Sequence, residues 1–154
     1  VDAGAVDGLT VAAPVLSLAL SPDGSFVLVQ DDRRAALYDT LARTATEGGT
    51  VLEIGCGTAW NLIRLARRHR GLRCEGLDAS KAMLETAGRK IAQAGLADRI
   101  QLRHGLAESA LRTDAPAGAG YDVVFFSYAL SMIPGWRQAL ANGLELLRPG
   151  GVLA

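Results

Sequence analysis

Residues Val51-Leu52-Glu53-Ile54-Gly55-Cys56-Gly57-Thr58-Ala59-Trp60-Asn61-Leu62 constrain the fold of this chain more than any other stretch. A short apolar run stops at two glycines, and a helical pattern begins directly after them. The run is too apolar to leave one face in water. It therefore reads as a strand covered on both faces, as in a parallel sheet between helices. The glycines open backbone conformations closed to other residues and let the main chain approach a ligand without a Cβ in the way. G-x-G alone occurs in many unrelated folds, so its meaning depends on the residues downstream of it.

From Thr50 onward strand and helix patterns alternate, as in a sheet built from crossover units. A helix is expected over about 59–70, with Leu62, Leu65, Ala66 and His69 inward and Arg64, Arg67 and Arg68 outward. Gly71 suits a left-handed cap at its end. Residues 72–77 read as a second strand. Ser80 caps a helix with Met83, Leu84, Ala87 and Ile91 inside, ending at Gly95. Residues 100–103 form a third strand, and a loop at 113–120 leads to a fourth at 122–126. Trp136, Leu140, Gly143, Leu144 and Leu147 mark one face of a last helix, stopped by Pro149-Gly150-Gly151. Val152-Leu153-Ala154 opens a fifth strand.

The expected fold class is thus α/β, a Rossmann-like doubly wound parallel sheet, truncated at the start of its fifth strand with an uncovered edge. This core spans 48–154 and is expected to be incomplete at its carboxyl end. Residues 1–47 read as an extension. Its Ser21-Pro22-Asp23-Gly24 favours a turn, so a hairpin at about 15–30 is expected. A helix over 31–46 comes next, with Leu37, Tyr38, Leu41 and Ala45 on one side. The stretch also resembles one blade of a WD-type propeller, but a blade cannot bury its faces alone and no second copy is present.

Composition narrows the function classes. A chain of 154 residues has room for one domain, and 16 basic against 16 acidic side chains leave no net field to draw nucleic acid or an anionic membrane. Arg64, Arg67, Arg68 and Arg70 read as a solvated helix face. Cys56 and Cys74 match no zinc or disulfide pattern, and His69 and His104 are too scattered for a metal site. The longest greasy stretch, 9–20, contains Pro14 and has no basic flank, so neither a span nor a signal peptide is expected. The expected location is cytoplasmic.

Asp78 stands 23 residues after Gly55, at the end of the next expected strand, where a carboxylate can accept both ribose hydroxyls of a nucleoside. A dinucleotide fingerprint would need a third glycine at position 60, but Trp60 stands there and would obstruct close strand–helix packing. Glu53 is a poor neighbour for a pyrophosphate and a good one for an ammonium or sulfonium. Both facts point away from NAD and toward S-adenosylmethionine.

Residues 48–154 resemble the class I S-adenosylmethionine-dependent methyltransferases. The resemblance rests on V-L-E-I-G-C-G-T, G-L-D-A-S, G-L-A-E, Y-D-V-V and L-L-R-P-G-G in order. It implies that Glu53, Gly55, Cys56 and Gly57 surround the methionine part and that Asp78 and Ala79 take the ribose, with Met83 packing nearby. It also implies that Leu106 and Ala107 flank the adenine and that Ser127 sits at the mouth beside the reacting methyl. Two departures stand out. Ala59 replaces the third glycine of the family's G-x-G-x-G and is expected to crowd the methionine tail. Leu106 stands where many members carry an Asp or Asn that reaches the adenine amine.

Phe126-Ser127-Tyr128-Ala129-Leu130-Ser131-Met132-Ile133-Pro134-Gly135-Trp136, together with Gly57-Thr58-Ala59-Trp60-Asn61-Leu62 and Leu77-Asp78-Ala79-Ser80, resembles, more narrowly, the betaine-lipid (diacylglyceryl homoserine) N-methyltransferases. That resemblance implies an amine acceptor on a small molecule or lipid headgroup, peripheral membrane contact, and Tyr128, Met132 and Trp136 as substrate-binding residues. Aromatic faces there would stabilise a growing quaternary ammonium by cation–π contact. No residue is assigned as a catalytic acid or base. A non-catalytic S-adenosylmethionine-binding fragment and an NAD-dependent oxidoreductase remain as alternatives.

Overall fold

The computed structural model describes residues 48–110 and 120–154, together with two strands of the extension, β1 (Ser17–Leu20) and β2 (Phe26–Val29). Five parallel strands form the centre: β3 (Thr50–Ile54), β4 (Arg73–Asp78), β5 (Ile100–His104), β6 (Tyr121–Phe126) and β7 (Leu147–Leu153). Their spatial order is β5-β4-β3-β6-β7, and β1 continues the sheet antiparallel to β7 with β2 beyond it. The helices are α1 (Trp60–Arg68), α2 (Lys81–Gln93) and α3 (Trp136–Glu145). The α/β, doubly wound sheet is the fold the alternation predicts.

Strand alternation explains the two layers. Successive side chains leave a strand on opposite faces. Val51 and Val123 therefore join Leu62, Leu65, Ala66, Ala87 and Ile91 of α1 and α2 in one core. Leu52 and Val124 join Ala139 of α3 and Leu146 just past it in the other. With helices on both faces and β3 flanked by β4 and β6, the chain reverses its direction of winding at β3/β6. In open sheets of this kind the crevice at the carboxyl ends beside that switch point is where ligands sit.

Several boundaries differ from expectation for identifiable reasons. β7 begins at Leu147, not at Val152. Pro149-Gly150-Gly151 lies within it as an irregularity, with the register shifting between Tyr121 and Val123. Its edge is not bare, since Leu20 of β1 pairs with Leu153. The inner stripe of α3 is Ala139, Asn142 and Gly143, with Leu146 just after it, whereas Leu144 is 40% exposed. Asn142 is tolerated in its buried place because it donates to the Ala107 carbonyl at 2.9 Å. Gly71 is not left-handed: α1 ends with His69 in extended conformation. The guanidinium of Arg99 donates to the carbonyls of Ala66, His69 and Arg70 at 2.8, 3.3 and 3.1 Å, closing the helix end that the glycine was expected to cap. The expected turn at 21–24, the helix at 31–46 with Leu37, Tyr38, Leu41 and Ala45, and residues 113–119 of the loop lie outside the described residues.

Candidate cofactor and acceptor cleft

The turn after β3 is a run of left-handed backbone. Gly55 (φ 76°), Gly57 (φ 52°) and Ala59 (φ 58°) all have positive φ. A Cβ on Gly55 would also fall onto Cβ of Ala129 in the segment after β6. Gly55 is therefore fixed twice, by dihedral and by space. Ala59 shows that the third position tolerates a methyl. It is fully buried and packs into the core beneath α1 rather than lining the cleft. Trp60 does not obstruct strand–helix packing either. It is 43% exposed, with the Arg64 guanidinium 4.6 Å over its ring.

Four amide protons of this turn are already used. Gly55 and Cys56 both donate to the Leu77 carbonyl (2.8 and 3.2 Å), Gly57 donates to Oδ2 of Asp78 (2.7 Å), and Ala59 donates to the Cys56 carbonyl (2.9 Å). A phosphate cradle needs such groups free. What the turn presents instead is carboxylate. Oδ1 of Asp78 accepts from the Ser80 amide at 2.8 Å, and each Asp78 oxygen keeps a further lone pair for a hydroxyl. Glu53 is 1% exposed, with Oε1 accepting from Nδ2 of Asn61 at 2.6 Å and Oε2 buried without a hydrogen-bond partner among the described residues. Burial, with a further push from Asp78, raises the Glu53 carboxyl to about 8 against the opposing Asn61 bond.

Beyond the turn, at the carboxyl ends of β3, β4 and β5, lies a cleft of about 370 Å³. It brings together Gly55, Gly57, Asp78, Ala79, Met83, Leu106, Ala107 and Met132 from the sequence-derived set. Met83, expected inside its helix, is 47% exposed because Ser80, accepting from the Met83 amide at 3.3 Å, starts α2 with that residue over the opening. Five sequence-derived residues do not line it. Glu53 lies behind the glycine turn. Cys56 turns its thiol into the core against Gly76, where burial pushes it up to about 12 and leaves it unreactive. Ser127 is half-buried outside the cleft, and Tyr128 is 64% exposed with φ 57°. Trp136 already has the Arg137 guanidinium 4.2 Å over its ring, which occupies the face expected to meet an ammonium.

Sequence reasoning missed Ser80, Glu108, Ala129, Ile133 and Pro134 as lining residues. Glu108 sits in the short 3-10 turn Ala107–Ser109 after β5 and accepts from the Gly135 amide at 3.3 Å, joining the segments after β5 and β6. Its signal was present in G-L-A-E, but nothing local says that a residue 27 positions away completes its contact. Among the described residues, no Lys, Arg or His lines the cleft.

Residues 51–151 match the family model described as a methyltransferase domain. The chain belongs to the class I S-adenosylmethionine-dependent methyltransferases. It is 32% identical over 133 residues to a trans-aconitate 2-methyltransferase of Azoarcus sp. (strain BH72), covering 86% of this chain and 48% of that protein. It is 31% identical over 109 residues to a demethylmenaquinone methyltransferase of Listeria monocytogenes, covering 70% and 44%. The chain thus spans about half the length of these relatives. Among solved structures, a methyltransferase from Thiobacillus denitrificans in complex with S-adenosyl-L-homocysteine superposes with a TM-score of 0.62 at 25% identity, over 81% of this chain and 49% of that one. The [4+2]-cyclase SpnF superposes at 0.66 and 25%, over 80% and 47%. Neither named relative supports the betaine-lipid resemblance; their names give a tricarboxylate and a quinone as substrates. No helix among the described residues is long and apolar enough to cross a membrane.

Proposed function

We propose that this methyltransferase binds S-adenosylmethionine along the carboxyl ends of β3, β4 and β5 and methylates an uncharged or cationic small molecule. The supporting observation is the electrostatic character of the turn after β3. Four of its amides, those of Gly55, Cys56, Gly57 and Ala59, are consumed within the protein, while the Asp78 carboxylate lines the cleft beside it. Such a turn repels a pyrophosphate and accepts an ammonium, which favours this cofactor over NAD. When bound, the cofactor supplies a methyl group activated by its sulfonium. Asp78 holds the ribose through its remaining lone pairs, Ala79 and Met83 pack beside it, and Leu106 and Ala107 sandwich the base. Gly55 and Gly57 keep the wall thin at the methionine end, with the buried Glu53 carboxyl behind them, which an adjacent ammonium would favour in its charged form.

The acceptor side supports a neutral or cationic partner. The cleft is largely apolar, carries Asp78 and Glu108, and has no basic lining residue among those described. A tricarboxylate would meet like charge there. The amine of a homoserine-lipid headgroup fits the apolar lining with its carboxylates, with peripheral membrane contact as its corollary. A quinone ring, the substrate class named for one relative, fits the same apolar surface as a second reading. In-line displacement at a methyl demands mainly orientation and exclusion of water, which Met132, Ile133 and Pro134 provide at the outer wall.

Calorimetric titration of the full-length protein tests the cofactor assignment. Micromolar binding of S-adenosylmethionine with none of NAD is expected, and Asp78→Ala is expected to weaken it at least tenfold. Unaltered affinity in that variant would remove the ribose role. Production of S-adenosylhomocysteine is then measured with the homoserine lipid, demethylmenaquinone and trans-aconitate in parallel, where turnover of trans-aconitate alone overturns the acceptor reading.

A further inference from the structure

The large apolar side chains that this protein leaves in water are not scattered. Trp60, Met83, Leu106, Tyr128, Met132 and Trp136 are exposed, and each stands in a segment that leaves the carboxyl end of a central strand. Leu144 is the remaining residue of this kind among those described. Trp60 opens α1 on one face of the sheet and Trp136 opens α3 on the other, so this apolar rim runs from one layer to the other across the mouth of the cleft. Exposed apolar surface gathered in one place marks an interaction surface.

The charges of the rim are mostly of one sign. All three helices point their amino ends, the positive ends of their dipoles, toward it, and none has an acidic residue in its first turn. Lys81 opens α2, a place where a cation costs helix stability. The guanidiniums of Arg64 and Arg137 lie 4.6 and 4.2 Å over the rings of Trp60 and Trp136. Such a pair suits a boundary, because the indole enters an apolar layer while the guanidinium reaches phosphate oxygens. Glu85 is the exposed carboxylate of this region, whereas Asp78 and Glu108 are half-buried and accept from backbone amides.

We propose that this rim docks on the surface of an anionic lipid bilayer, with its aromatic and thioether side chains entering the headgroup layer and Arg64, Lys81 and Arg137 meeting lipid phosphates. The proposal deepens the acceptor reading above, on which its purpose rests: a lipid-borne amine or quinone reaches the cleft without leaving the membrane. A bilayer is the fitting partner because apolar groups on both layers need a broad surface, and the cations and dipole ends need a negative one. Arg67 and Arg70, at and past the far end of α1, stand away from this rim.

The test is co-sedimentation of the full-length protein, without cofactor or acceptor, at low salt. The vesicles are phosphatidylcholine alone or with about one third phosphatidylglycerol, and the anionic ones are expected to retain at least about tenfold more protein. Trp60→Ala with Trp136→Ala, and separately Arg64→Glu with Arg137→Glu, are each expected to lower retention at least about fivefold, with S-adenosylmethionine affinity unchanged. Two independent pairs keep the test decisive where one of them does not fold. Arg67→Glu with Arg70→Glu makes the same charge change at the other end of α1 and is expected to leave retention within about twofold. Absence of retention by the wild type overturns the proposal, as does retention undiminished in the folded rim variants or lost in the Arg67, Arg70 variant alone. Pelleting without vesicles that depends on the two tryptophans assigns the rim to a second copy of the chain and overturns it as well. Docking by a protein that turns over neither lipid-borne acceptor sinks the acceptor reading and leaves the partner of the rim in place.

Discussion

Glu53 makes the stability of this protein fall as pH rises through a range where most proteins are indifferent. Its carboxyl is 1% exposed, accepts one bond from Asn61, and leaves Oε2 buried and unpartnered among the described residues. Burial, reinforced by Asp78 and opposed by the Asn61 bond, moves it from 4.5 to about 8. Below 4.5 the group is protonated both folded and unfolded, and no penalty arises. Between 4.5 and about 8 the unfolded chain releases the proton while the folded chain keeps it, so stability declines by about 1.4 kcal/mol per pH unit. Above about 8 both forms are ionised and the penalty is complete, on the order of 3–5 kcal/mol.

Glu53→Gln removes the titration and retains the acceptor for Asn61. Its buried amide N–H carries a fixed cost of about 1–3 kcal/mol when left unpaired, the same at every pH. The decisive quantity is therefore the slope of the stability difference between variant and wild type, from urea unfolding at pH 5, 6, 7 and 8. Other carboxylates cancel in that difference. The variant is expected to gain on the wild type by about 1 kcal/mol per unit across the series. A flat difference would refute the reasoning by showing that Glu53 ionises normally in the folded protein. Saturating S-adenosylhomocysteine is expected to flatten the slope, because an ammonium beside Glu53 favours its charged form.

Arg99→Ala is expected to cost about 2–3 kcal/mol in chemical denaturation, since three carbonyls at the end of α1 lose a charged donor; a change within about 0.5 kcal/mol would refute the capping role. Asp122 is held below the usual carboxylate range: burial pushes it up, but bonds from the Thr50 amide (2.7 Å) and Arg148 Nε (2.6 Å) outweigh that. Its stabilisation is present above the ordinary carboxylate range and lost as pH falls through the lowered folded value. Asp122→Asn should accordingly narrow the stability gap between pH 7 and pH 3, and an unchanged gap would remove Asp122 from acid unfolding. Gly55→Ala is expected to abolish cofactor binding and lower the melting temperature, with Ala129→Gly restoring part of the loss, because it removes the steric contact but leaves φ at 76°. Complete restoration would mean that the dihedral contributes nothing.

Legibility in the sequence divides along contact range. The strands β3 and β6 were legible because each is a short apolar run buried on both faces, whereas β7 was read only from Val152, its first residues being taken for the end of a helix. Ser80 was legible as a cap for the same local reason, since the hydroxyl satisfies an amide three residues away. The end of α1 was not. Gly71 has the right residue type, yet the orphan carbonyls are satisfied by Arg99, about 30 residues on, which no window over the helix contains. The inner stripe of α3 was misread for a related reason. Gly143 was read correctly, but Trp136 and Leu144 were chosen over Ala139 and Asn142, which face inward because a small residue lets the helix approach the sheet and Asn142 finds the Ala107 carbonyl there.

The cleft shows the same division at a finer scale. Gly55, Gly57 and Asp78 were legible because backbone geometry and charge act at their own positions, and the structure joins them by a single bond between the Gly57 amide and Asp78. Cys56 and Ala59 sit between and beside the same glycines and were not legible. Both are buried in the core, while the glycine positions line the cleft. Glu108 went unassigned because its role depends on Gly135, which is remote in sequence. The cleft wall therefore rests on two kinds of information: the residues of a local turn, and a long-range pairing of Glu108 with the Gly135 amide. The first was readable from residue order, and the second exists only once the sheet has brought β5 and the segment after β6 together.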